Sequence, residues 1–100
     1  MKLGILVNTD KNIEAVIGLT KAAISKGHEV SIFAMDDGTK LLENPSYTEL
    51  CGLQDVTMSF CDHSAKKLGV KTEGIPKEII CGSQYNNATM NHNSDKVIIL

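Results

Sequence analysis

Five short apolar runs, each separated from the next by a connection long enough to hold a helix, limit what this chain can fold into. The first, Lys2 to Val7, is almost continuously apolar, the pattern of a central strand buried on both faces. Glu29 to Met35 follows, with Val30, Ile32 and Ala34 on one face. Val56, Met58 and Phe60 alternate with Thr57, Ser59 and Cys61 in the third run. Lys77 to Cys81 and Lys96 to Leu100 read as the fourth and fifth strands. Antiparallel neighbours can be joined by two residues, whereas parallel ones need a crossover of about ten residues or more. Every connection here exceeds that length and contains helical patterning, so the strands are parallel and the crossovers right-handed. The expected architecture is a three-layer α/β/α sandwich on a five-stranded parallel sheet.

The connections support this reading. Ile13, Val16, Ile17, Thr20, Ala23 and Ile24 recur at helical spacing after Asn8-Thr9-Asp10, and Gly27 stops the helix, which spans roughly Lys11 to Lys26. Thr39 to Glu43 is a short helical segment interrupted by Pro45, and Ser46-Tyr47-Thr48-Glu49 is a capping-box pattern that starts a helix running to Gly52. Asp62 caps a short helix from His63 to Leu68, stopped by Gly69, and Val70 to Pro76 is a loop. Gly82-Ser83 opens a last helix to about His92, although Asn86, Asn87 and Asn91 are poor helix formers. One hundred residues fit one domain, 1–100, with no repeat and no room for a second core.

Composition removes several function classes. No apolar run approaches the roughly 18 residues that span a bilayer. The start of the chain lacks a long apolar segment with a cleavage site, so a cytoplasmic location is expected. The net charge is −2 and every basic residue is Lys. Without Arg or a basic patch, nucleic-acid binding is not expected. The three cysteines Cys51, Cys61 and Cys81 leave one unpaired in any disulfide scheme, which argues for free thiols. There is no Cys-x-x-Cys, no Gly-x-Gly-x-x-Gly and no Walker A lysine. Only Cys61-x-His63 approaches ligand spacing, so no metal and no cofactor is expected. His63 beside the thiol at a helix start is an awkward general base, which disfavours a Cys-His-Asp hydrolase.

In an open parallel sheet, ligands bind outside the carboxyl ends of the strands. Cys61 is the candidate catalytic residue there: it ends a strand and precedes a helix, whose dipole and N–H groups favour a thiolate. Asn8, Asp37, Gly38, Asp62, His63, Gly82 and Ser83 share those strand ends and are the substrate-binding candidates. Asp36, Asp37 and Asp62 would oppose ionisation if close, because a carboxylate raises a thiol pKa. The competing reading makes Cys61 a small buried hydrophobe. Cys81, after Ile79 and Ile80, is expected to be buried in its strand, and Cys51 to face the core with Tyr47 and Leu50. His28 lies at the opposite sheet end, and His92 ends a helix.

Four stretches together resemble the DsrE/DsrF-like family of small sulfur-relay proteins, which includes the TusD-like subunits. Met1 to Asn8 and the long helix are similar to its opening βα unit. Ile32-Phe33-Ala34-Met35-Asp36-Asp37-Gly38 is similar to its strand ending in an Asp-Gly turn. Val56 to Gly69, with Cys61-Asp62-His63-Ser64-Ala65, resembles the strand, cysteine and small helix around its active thiol. Ile75-Pro76 through Leu100, with Gly82-Ser83 and Ser94-Asp95-Lys96-Val97-Ile98, resembles its closing βαβ unit. The resemblance implies Cys61 as a sulfur-accepting cysteine, hence a sulfurtransferase or sulfur carrier. Its implied partners are sulfur donor and acceptor proteins within a homo-oligomer or hetero-oligomer. A small-ligand-binding module and a structural assembly subunit are the alternatives. Tyr47 to Leu53 is the expected oligomer interface.

Overall fold

The computed structural model describes residues 1–100. The strands are β1 (Lys2–Val7), β2 (Glu29–Ala34), β3 (Val56–Cys61), β4 (Ile79–Gly82) and β5 (Lys96–Ile99), all parallel, in the order β4-β3-β2-β1-β5. The helices are α1 (Ile13–Ser25), α2 (Pro45–Thr48), α3 (Asp62–Lys67) and α4 (Gln84–Asn93), with 3-10 turns at Asp36–Glu43 and Glu49–Gly52. The expected sheet and sandwich are present. The order means that the chain steps outward from β1 to β4, then returns through α4 to place β5 on the far side of β1.

That path loads the two faces of the sheet unequally. Leu3, Ile5, Val7, Val30, Ile32, Ala34, Val56, Met58, Phe60 and Ile79 point to one face. They pack against Val16 and Ala23 of α1, Leu41, Leu42, Tyr47 and Leu50 of the second connection, and Ala65 of α3. The other face is covered by α4 alone, and its core is only Phe33, Cys61 and Met90, with Leu6, Met35 and Val97 packed around them. A strand alternates sides at every residue, so β3 sends Phe60 into the large core and Cys61 into the small one.

Four local expectations change. The helix expected from Ser46 begins at Pro45, and its cap is Asn44, whose Oδ1 accepts from the Ser46 N–H at 2.9 Å. Proline suits the first helical position because the amide it lacks would have no partner there. Tyr47 and Leu50 are fully buried beneath the sheet, so the large side chains expected to form an interface in Tyr47 to Leu53 belong to the core, while Glu49 and Gly52 of that span are exposed. β4 begins at Ile79 instead of Lys77 and runs through Gly82, because its pairing with β3 starts at Met58↔Ile79. As the edge strand it leaves Cys81 and Ile80 exposed, which corrects the expectation of a buried Cys81.

Gly38 is required by close approach. A Cβ there would overlap the carbonyl oxygen of Val7, which also accepts from Met35 N–H at 2.9 Å as β2 ends. Gly18, exposed in the middle of α1, has nothing within 4 Å of the same position. Gly38→Ala is therefore expected to lower unfolding free energy by about 3 kcal/mol. Gly18→Ala is expected to raise it by about 0.5–1 kcal/mol through helix propensity. Urea unfolding of the two variants reads both, and equal effects would refute the close-approach argument.

Candidate functional site

Cys61 is the last residue of β3 and the N-cap position of α3. Cys61 is 3 % exposed. Burial pushes the thiol pKa up, but four donors outweigh it and the net displacement is downward. They are the Ser64 hydroxyl, the Ser64 backbone N–H, the Gln84 side chain and the His63 backbone N–H. The neutral thiol makes no side-chain cap bond. Charge-assisted hydrogen bonds are roughly twice as strong as neutral ones, so these donors favour the anion.

The other two thiols differ. Burial and the Glu78 carboxylate push Cys51 up. Loss of solvent and the Asp62 carboxylate push Cys81 up, with Lys66 opposing. All three are free. Cys81 pairs with Phe60 across the β3–β4 ladder while Cys61 pairs with Gly82. Paired residues share a face and adjacent ones do not, so Cys61 and Cys81 lie on opposite sides of the sheet. The strand-end counterpart of Cys61 is Gly82.

The other sequence candidates separate into groups. Asn8 and Asp37 do come together, with Asp36, Ser64, Lys67 and Leu68, around a cavity of about 370 Å³ at the carboxyl ends of the strands. Ser64 is buried and belongs both to this cavity and to the donors around Cys61. Gly38 is buried against Val7 behind the cavity and offers no side chain. Asp62 is turned away: its carboxylate meets Lys66 at 2.9 Å, and that ammonium holds it below the usual carboxylate range. The His63 side chain is exposed, and only its backbone N–H serves the sulfur. Ser83 is occupied as the cap of α4, accepting from Tyr85 N–H at 3.2 Å in a capping box with Asn86. No carboxylate acts on Cys61, so the feared opposition from Asp36, Asp37 and Asp62 is absent.

Sequence reasoning missed Ser64, Gln84 and Met35 as site residues. Ser64 was within reach, because the third residue after an N-cap points back towards it. Gln84 Nε2 lies 3.8 Å from Met35 Sδ, a contact across 49 residues of chain that no local pattern announces. No group of three or more His, Cys, Asp or Glu side chains is arranged to hold a metal ion.

The fold and site define a small parallel α/β protein with a buried thiol at a strand end. The chain belongs to the DsrE/DsrF-like family, whose model matches residues 1–99. Among solved structures it is similar to the ychN protein from E. coli, with TM-score 0.72, 16% identity and full coverage of both chains. No curated protein matches its sequence. No helix is long and apolar enough to cross a membrane.

A depressed thiol pKa links to stability. Cys61 ionises more readily folded than unfolded, so its thiolate adds stability in full above the ordinary thiol range. That contribution is lost as pH falls through the folded value. Urea unfolding between about pH 6 and about pH 10 is expected to show the parent gaining on Cys61→Ala as pH rises. A pH-independent difference would contradict the depressed value.

Proposed function

We propose that this protein carries sulfane sulfur on Cys61. The thiolate attacks the outer sulfur of a donor persulfide, R–S–SH. One S–S bond forms on Cys61 as the donor S–S bond breaks. The products are Cys61–S–SH and the donor thiolate R–S⁻, with no net oxidation and no metal. Repeating the exchange on an acceptor thiol returns Cys61 to its starting state. The observation that carries this reading is the contrast among the thiols: Cys61 alone is displaced downward, while Cys51 and Cys81 are displaced upward. Family membership supports it. The partners are sulfur donor and acceptor proteins of the cytoplasm. The chain acts as a homo-oligomer or hetero-oligomer, and the exposed Ile80 of β4 and Tyr85 of α4 are apolar surface for that contact.

A second reading has its own observation. The cavity of about 370 Å³ bounded by Asn8, Asp36, Asp37 and Ser64 suits a small polar ligand. The burial of Cys61 then reflects packing alone.

Incubation with a persulfide donor, followed by intact-mass and peptide mass spectrometry, tests the first reading. One sulfur is expected on Cys61, removed by reductant and absent from Cys61→Ser. Uptake by Cys61→Ser equal to that of the parent overturns sulfur carriage and favours the ligand-binding reading.

A further inference from the structure

Two asparagines of α4, Asn87 and Asn91, poor helix formers by propensity, form a hydrogen-bonded ladder with Gln84 along one side of the helix. Asn91 Nδ2 donates to the Asn87 Oδ1 at 2.8 Å and to the Asn87 backbone carbonyl at 2.8 Å. Asn87 Nδ2 in turn donates to Gln84 Oε1 at 3.1 Å. The three residues are spaced three and four apart, so they lie on neighbouring turns of one helix face. Each amide oxygen is engaged by the next amide along the helix, which gives the ladder a single direction and leaves the Gln84 NH2 at its end. That NH2 faces the sulfur cluster, with Nε2 3.8 Å from Met35 Sδ. Met35 packs on the Phe33, Cys61 and Met90 cluster. Gly82, two residues before Gln84, is the ladder partner of Cys61, which brings the start of α4 alongside the thiol.

We infer that Gln84 is the positioning residue of this site: held by Asn87 and Asn91, it presents amide N–H groups to Cys61 Sγ and stabilises negative charge there. The inference rests on the sulfur-carrier reading for its purpose, but the charge stabilisation exists whether or not sulfur is carried. An amide free to turn would present its oxygen to the sulfur as readily as its NH2, and the oxygen opposes a thiolate. The ladder removes that freedom. Gln84 itself is exposed.

The test is the pH dependence of Cys61 alkylation by iodoacetamide, followed by peptide mass spectrometry in Gln84→Met, Gln84→Glu and Asn87→Ala. Gln84→Met keeps the length and removes the donor. It is expected to move the Cys61 midpoint upward and slow alkylation near neutral pH by about fivefold. Gln84→Glu places a carboxylate at the sulfur and is expected to move the midpoint further. Asn87→Ala removes the ladder contact while improving helix propensity. A shift in that variant therefore does not come from loss of the helix. Midpoints in Gln84→Met and Asn87→Ala that coincide with the parent overturn the assignment. Sulfur uptake is scored separately. A parent that takes up no sulfur, with midpoints that still move, refutes the carrier reading and leaves the role of Gln84 standing.

Discussion

The alternation of side chains along β3 is the constraint on which the site depends. Phe60 faces the large core and is paired with Cys81, while Cys61, one residue on, faces the opposite side and is paired with Gly82. A one-residue slip in the β3 register would exchange those positions and put the thiol among aliphatic side chains with no donor in reach. The register is held by the pairing of Val30 to Ala34 with Val56 to Phe60, whose alternate residues are buried. The large core therefore fixes the position of a sulfur that lies outside it.

Electrostatics at the site follows from the same division. On the α3 side, Asp62, Lys66 and Cys81 form a charged cluster in which the carboxylate is neutralised by the ammonium and raises the neighbouring thiol. Cys61 meets the Ser64 hydroxyl and the backbone N–H groups of Ser64 and His63 from the start of α3, the Gln84 amide from α4, and no carboxylate. Two thiols on adjacent strands are thus pushed in opposite directions, with the sheet between them. The thin core under α4 has a further effect. With only Phe33, Cys61 and Met90 fully buried there, few apolar contacts hold α4 down, and elements of that kind open most easily. A buried thiol beneath such a helix can become reachable without disturbing the main core.

Much of this was legible in the chain. The apolar runs and their long connections specified a parallel sheet because two-residue turns were excluded by distance. The position of Cys61 at a strand end before a helix was also legible. Asn8 and Asp37 line one cavity because every parallel strand delivers its carboxyl end to the same edge. Other features were hidden for physical reasons. The exposure of Cys81 depends on β4 being an edge strand, and strand order is decided by which crossovers pack, not by the strand's own residues. Tyr47 and Leu50 have the composition of an interface helix, and only the layer above them decides whether they meet a partner or the chain's own core.

The sequence by itself determined the element types, the sheet's direction and the place of Cys61 at a strand end, because these follow from local periodicity, connection length and the helix start after Cys61. Only the tertiary structure decided that thiol's chemistry. His63 and Ser64 are its neighbours in the chain, but Gln84 arrives from the far end of a crossover, aimed by asparagines that are poor helix formers by propensity. The direction of a pKa shift is set by distances to donors and charges across the fold, and such distances appear only when strands are ordered and helices are laid on their faces.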